Sequence, residues 1–313
     1  MQNQKIAWVF PGQGSQKQGM LSSLYAQEKC VRDTFSEASY TLGFDLYDII
    51  QNDASRLNQT EYTQPAILAS SVALWRLAQE KQIIAPDYLA GHSLGEYSAL
   101  TCAGSLTLGD AVSLVHKRGQ LMQQAVPVGA GAMGVILGLD DEIVINLCQT
   151  LSSSQNEDYV AAVNFNCQGQ VVVAGRASSV NMALEQAKTL GAKRAMLLPV
   201  SVPSHCKLMK SAAEYLAEDI KKVSLGLPRI PVLQNADLGF HRDVGSISKA
   251  LVAQLTSPVN WVKTIQIFEG LDCQTIVECG PGKVLTSLNK RIATNVACSA
   301  INGQDALQQL LTD

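Results

Sequence analysis

Gly91-His92-Ser93-Leu94-Gly95 is a G-x-S-x-G pentapeptide, set after the apolar stretch Tyr88-Leu89-Ala90 and before a run of small, helix-forming residues that reaches Ala103. A serine hydroxyl is a weak nucleophile until it is presented to its target and a base takes its proton. A sharp strand-to-helix turn presents it, and the flanking glycines let neighbouring backbone pass close by. The same turn puts Ser93 at a helix start, where unpaired amides, that of Leu94 first, stabilise an oxyanion. Nucleophile and oxyanion donors together are the equipment of acyl transfer. The pentapeptide also arises by chance in ordinary turns, and what favours the chemical reading is the strand, turn and helix legible around it.

A base for Ser93 must come from four histidines. His92 adjoins the nucleophile, and adjacent side chains on a strand point to opposite faces, which makes it a poor base for Ser93. His116 falls in a helical run and His241 in a polar loop. His205 remains, in the proline-stiffened segment Val202-Pro203-Ser204-His205-Cys206. A lone histidine of this kind is more often structural, and it is the pairing with Ser93 that makes it a candidate.

Two further segments could serve such a site. Phe10-Pro11-Gly12-Gln13-Gly14-Ser15-Gln16 follows the first strand, and its glycines allow backbone amides to approach a ligand closely, so it is either a source of a second oxyanion donor or a plain tight turn. Over 110–125, Ala111, Leu114, Val115, Leu121, Met122 and Ala125 recur at helical spacing, and Arg118 falls within that apolar stripe. A guanidinium on a buried face is costly unless it meets an anion. Either an internal carboxylate or an acidic ligand would supply one.

The elements that must position these residues follow an α/β pattern. Apolar strand-like runs at 6–10 and 88–90 are separated by helical periodicity. Between the loops Pro127-Val128-Gly129-Ala130-Gly131 and Pro199-Val200-Ser201-Val202-Pro203 the order changes. The pattern there predicts strands at 134–139, 159–165, 170–174 and 194–198, with helices at 141–151 and 178–190. That is β-α-β-β-α-β, a ferredoxin-like subdomain. The division expected is therefore 1–127 with 200–313 as a large domain, and 128–199 as a small inserted one. The large domain is expected to end with a strand at 275–278, the turn Cys279-Gly280-Pro281-Gly282 and a helix from Lys283.

Bulk properties narrow the class. At 313 residues and 47% apolar content the chain has enough material for one large core or two, and a formal net charge of −3 with no basic run argues against nucleic acid as a partner. No signal peptide and no membrane-spanning run is legible, so a cytoplasmic protein is expected. Eight cysteines lie scattered without a C-x-x-C pair, as buried free thiols would, and no metal site is expected. Gly129-Ala130-Gly131-Ala132-Met133-Gly134 matches a dinucleotide fingerprint in letters only, because it follows a helix and opens a strand. Gly280-Pro281-Gly282-Lys283-Val284 lacks the length and the hydroxyl of a phosphate loop and is better taken as a structural turn.

Together, Phe10-Pro11-Gly12-Gln13-Gly14-Ser15-Gln16, Gly91-His92-Ser93-Leu94-Gly95-Glu96-Tyr97, Arg118-Gly119, Val202-Pro203-Ser204-His205 and Gly280-Pro281-Gly282-Lys283 resemble the malonyl-CoA:acyl-carrier-protein transacylases of fatty acid synthesis. The match runs in order along essentially the whole chain, with no departure at a position that carries the family's chemistry. The resemblance implies an α/β-hydrolase-like large domain with a ferredoxin-like insertion and the active site in the cleft between them. It implies ping-pong transfer: Ser93 takes malonyl from coenzyme A, and the phosphopantetheine thiol of holo acyl carrier protein removes it. His205 would be the general base and then the general acid, oriented by a backbone carbonyl that matches Gln254. Gln13 and Leu94 would give the oxyanion amides, and Arg118 would pair with the malonyl carboxylate. His92, Met122 and Met133 would line the acyl pocket, although core packing accounts for both methionines equally simply. Malonyl-CoA is then a substrate rather than a cofactor, no cofactor is called for, and a monomer is expected. The rival readings are a serine hydrolase or thioesterase on the same Ser-His dyad, which an arginine in the pocket disfavours, and an inactive carrier-protein-binding scaffold, which the presence of both nucleophile and base disfavours.

Overall fold

The computed structural model describes residues 4–152, 158–200 and 202–307, so Ser201 of the second bracketing loop lies outside the described residues. Strand β1 (Lys5–Phe10) is buried over its last four residues on both faces, as a central strand must be. Its neighbours are β2 (Tyr88–Gly91) on one side and β9 (Cys273–Cys279) on the other. β7 (Val232–Leu233) and β10 (Ala297–Ile301) form the edges, giving the order β10-β9-β1-β2-β7 with every pair parallel. A parallel sheet needs cover on both faces. The helix Thr60–Glu80, with Ile67, Leu68, Leu74 and Leu77 all fully buried, supplies much of it on one face.

The second sheet contains β3 (Gly131–Leu137), β4 (Val160–Cys167), β5 (Gln170–Arg176) and β6 (Arg194–Leu197) in the order β6-β3-β5-β4, all antiparallel. With the helices Asp141–Leu151 and Ala177–Thr189 this is a ferredoxin-like unit carrying its own apolar core around Ile136, Val144, Val171 and Leu184. A two-residue strand from outside 128–199, β8 (Val259–Asn260), adds in parallel beside β4. The small sheet is thereby tied to the later part of the chain.

Two expectations need correction, and a third holds. The strand expected at 134–139 begins at Gly131, because Gly131, Ala132 and Met133 already pair with Arg176, Gly175 and Ala174; four of the six residues of the glycine-rich run 129–134 are strand. The large domain does not stop at the helix Val284–Ile292, since β10 follows and pairs with β9. As a largely half-exposed edge strand, β10 lacks the apolar alternation that would have marked it. The turn at 280–282 is structural, as expected, for a concrete reason. Glu278, buried at the end of β9, accepts from the amides of Leu285 and Thr286, so the anion position at that helix start is already filled.

Candidate active site

The parallel order places three loops side by side at the carboxyl ends of adjacent strands, where sites in such sheets form. Phe10 pairs with Gly91, so the loop holding Gln13 lies beside the Ser93 turn, and Ala90 pairs with Leu233, which brings Asn235 to the other side. The turn after β2 needs both its glycines. A Cβ on Gly91 would lie 1.8 Å from the carbonyl carbon of Gly95, and one on Gly95 would lie 2.0 Å from the carbonyl oxygen of Phe10. Ser93 itself is held at φ 52, a left-handed conformation that costs a residue with a side chain about 1–2 kcal/mol. Asn235 holds it there. Its Oδ1 accepts from the Ser93 amide at 2.8 Å, and its Nδ2 donates to the Gly91 carbonyl at 2.7 Å.

The helix Gly95–Cys102 starts immediately after, with Leu94 as its cap residue. The Ser93 amide is consumed by Asn235, whereas the amides of Leu94 and Gln13 donate to no acceptor among the described residues. Two backbone donors at the mouth of the cleft are what a tetrahedral oxyanion requires.

His205 reaches the serine from the far side of the cleft, from a loop where it too is held at positive φ, 62. The Gln254 carbonyl, 2.9 Å from Nδ1, can only accept, so Nδ1 carries the proton and donates to it. Nε2 is left as an acceptor, 2.7 Å from Ser93 Oγ. Burial, and next the charge of Arg118, push His205 down to about 3. In the resting site the imidazole is therefore neutral, the form that can take a proton.

Arg118 is 1% exposed, on the inner face of the helix Leu108–Gln124. Full burial of each neighbouring Leu or Val on that face contributes roughly 1.5–3 kcal/mol, which helps the helix carry a buried charge. Of the two alternatives drawn from the sequence, pairing with an internal carboxylate does not describe the arginine's contacts. Among the described residues it makes no ion pair with a carboxylate. It donates instead to neutral oxygens: Gln64 Oε1 at 2.7 Å, Gln254 Oε1 at 2.9 Å and Ser93 Oγ at 3.3 Å. Its guanidinium also stands 5.4 Å from the centroid of the Tyr97 ring. A cation oriented by neutral groups beside a nucleophile is poised for an anion from outside. Gln64 extends the network, donating to Thr60 Oγ1, which donates to Gln13 Oε1, so the arginine is linked to the oxyanion loop.

Eight of the nine residues singled out from the sequence, Gln13, His92, Ser93, Leu94, Arg118, Met122, Met133 and His205, line one cleft between the two sheets. Gln254, fully buried, stands behind His205. His92 Nε2 contacts Asn166 Oδ1 at 3.0 Å and does not touch the serine, in keeping with its exclusion as base. Both methionines are buried as well as cleft-lining, so the two readings of them coincide. Sequence reasoning missed Asn235, Gln64, Asn166 and the buried Glu96. Glu96 was at least within a quoted motif. The others carry no local signal, because each acts on residues more than fifty positions away. Among the described residues, no cluster of three or more His, Cys, Asp or Glu side chains could hold a metal ion, and all eight cysteines are free thiols.

A parallel α/β sheet with a ferredoxin-like insertion, a serine on a strained turn, a neutral histidine hydrogen-bonded to it and two open amides define a serine acyl-transfer enzyme. An acyl transferase domain model matches residues 7–305. The malonyl CoA-acyl carrier protein transacylase of Salmonella typhimurium is 48% identical over 98% of this chain and 99% of its own, and that of Escherichia coli K12 is 47% identical over the same shares. FabD from Acinetobacter baumannii superposes with a TM-score of 0.95 at 51% identity, covering 99% of this chain and 98% of that one. A malonyl-transacylase solved in complex with a type II polyketide acyl-carrier protein, PlMCAT with AntF, gives 0.95 at 47% identity over 98% and 99%. The chain belongs to the acyl transferase family, among its malonyl-CoA:acyl carrier protein transacylases.

Proposed function

We propose that the protein transfers malonyl from coenzyme A to the phosphopantetheine thiol of holo acyl carrier protein through a malonyl-Ser93 ester. The observation that carries this reading is the buried, carboxylate-free Arg118 standing 3.3 Å from the nucleophile that His205 activates.

The chemistry divides into two similar halves. Ser93 gives its proton to His205 Nε2 as Oγ attacks the thioester carbonyl, whose oxygen becomes an oxyanion facing the amides of Gln13 and Leu94. Collapse breaks the carbon–sulfur bond, and the imidazolium returns the proton to the departing coenzyme A thiolate. The carrier-protein thiol then loses its proton to the same nitrogen and attacks the ester, and Ser93 leaves with the proton. The Gln254 carbonyl keeps Nδ1 protonated throughout, which fixes the tautomer both halves need. Arg118 neutralises the malonyl carboxylate, and acetyl would leave that cation unmatched.

The carrier-protein complex of PlMCAT, 47% identical to this chain, supports an acyl carrier protein as acceptor. The chain is read as 1–127 with 200–313 forming the large domain and 128–199 the small one, as a cytoplasmic monomer that needs no cofactor. No described helix is long and apolar enough to cross a membrane. The test is partition of labelled malonyl between holo carrier protein and water. Near-complete transfer to the carrier protein is expected; predominant release of free malonate would make the enzyme a hydrolase.

A further inference from the structure

Glu96 has no part in the steps above. It lies in the first turn of the helix Gly95–Cys102 and is completely buried. Its Oε2 accepts from the Asn235 amide at 2.7 Å and from Gln254 Nε2 at 3.0 Å, while Oε1 has no hydrogen-bond partner among the described residues. A carboxylate kept from water with half its acceptors idle is expensive to maintain, and burial pushes it up to about 7 against the opposing pull of Gln254, Asn235 and Arg118.

The Gln254 side chain shows what that expense secures. Its two ends are almost identical in shape and opposite in hydrogen-bonding character. Nε2 donates to the Ser93 carbonyl and to Glu96 Oε2, each at 3.0 Å, and Oε1 accepts from Arg118 at 2.9 Å. Turning the amide over would aim its N–H groups at the guanidinium and its oxygen at a carboxylate and a carbonyl.

We propose that Glu96 is a positioning residue that locks the Gln254 amide with Oε1 toward Arg118, and thereby holds the guanidinium where the substrate carboxylate meets it. The amide also works as a spacer. It stands between the guanidinium and Glu96, so the carboxyl group does not pair with the arginine directly and occupy the fork that the substrate needs. The Asn235 contact joins the same carboxyl group to the clamp on the serine turn, so the nucleophile and the carboxylate-binding cation are set by one side chain.

This inference rests on the malonyl-transfer reading, and its test separates the two. kcat/KM for malonyl-CoA and acetyl-CoA is measured in the wild type, Glu96→Gln and Glu96→Leu, each with and without Arg118→Ala. The glutamine carbonyl can still accept both N–H groups, so Glu96→Gln should keep the malonyl-to-acetyl ratio. Glu96→Leu should lower the ratio by about tenfold or more, the size expected when a hydrogen bond to a charged group loses its support. That loss should disappear in the Arg118→Ala background. A folded Glu96→Leu protein with the wild-type ratio, or with the same loss whether or not Arg118 is present, overturns the assignment of Glu96. If Glu96→Leu does not fold, Glu96→Asp decides: it withdraws the carboxylate from Gln254 by one methylene, and an unchanged ratio overturns the proposal. A wild type inert toward malonyl-CoA overturns the functional reading itself.

Discussion

Ser93 Oγ and His205 Nε2 stand 2.7 Å apart, and both residues hold left-handed backbone, with φ 52 and 62. Strain of about 1–3 kcal/mol at each such residue persists only where the surroundings over-determine it. Here the surroundings are specific: Asn235 clasps the serine turn, and the Gln254 carbonyl receives the histidine. The reacting pair is thus aligned before substrate arrives.

Ser93→Ala should abolish the acyl intermediate and lower turnover by on the order of 10⁴ or more, while circular dichroism and the thermal midpoint stay near wild type. His205→Ala should cost about as much in both half-reactions, since one imidazole serves both. Pre-steady-state rates of acylation and of release to the carrier thiol check this. A larger acylation defect in His92→Ala would mean that the base has been misassigned.

Asn235→Ala removes an acceptor from the Ser93 amide and a donor to the Gly91 carbonyl. A nucleophile displaced by about 1 Å can lose roughly 10²-fold in rate. The expected outcome is a fall of that order in kcat for a protein that still folds, measured beside the melting temperature.

Why Asn235 escaped the sequence and Ser93 did not is a matter of range. Gly91 and Gly95 are needed because backbone within a few residues and the neighbouring strand end approach the turn closely, and such needs leave a mark in a short motif. Arg118 was conspicuous as a charge on an apolar face, yet its partners Gln64 and Gln254 are separated from it by 54 and 136 positions. Gln254 acts on His205 through its carbonyl, which every residue possesses, so only family resemblance could point to it. The ferredoxin-like order was readable because its strands are apolar-rich runs of four to eight residues set apart by helical periodicity, whereas the two-residue strands β7 and β8 are too short to leave any pattern.

The pH dependence of acylation follows from the histidine's surroundings. Burial and the Arg118 charge hold His205 down to about 3, so with an uncharged activated ester kcat/KM should remain flat through the region near 6.5, where an ordinary histidine titrates, and fall only as pH approaches 3. Arg118→Ala removes the second largest of the depressing causes. The acid limb should then move up, toward neutrality. An acid limb at or below its wild-type position in that variant would contradict the electrostatic account.

Arg118→Ala should also reorder substrates. Truncating one partner of a buried charge pair costs about 2–5 kcal/mol, so kcat/KM for malonyl-CoA should fall roughly 30-fold to several thousand-fold. Acetyl-CoA has no carboxylate to lose and should be affected far less. Equal loss of both would make Arg118 a structural residue.

Intact-protein mass after brief mixing with malonyl-CoA, without carrier protein, tests the account most directly. The account predicts a single added malonyl group, located on the Ser93 peptide, stable in buffer on the timescale of turnover and discharged when holo acyl carrier protein is added. No adduct, an adduct on another residue, or loss of the group to water as fast as to the carrier protein would contradict it.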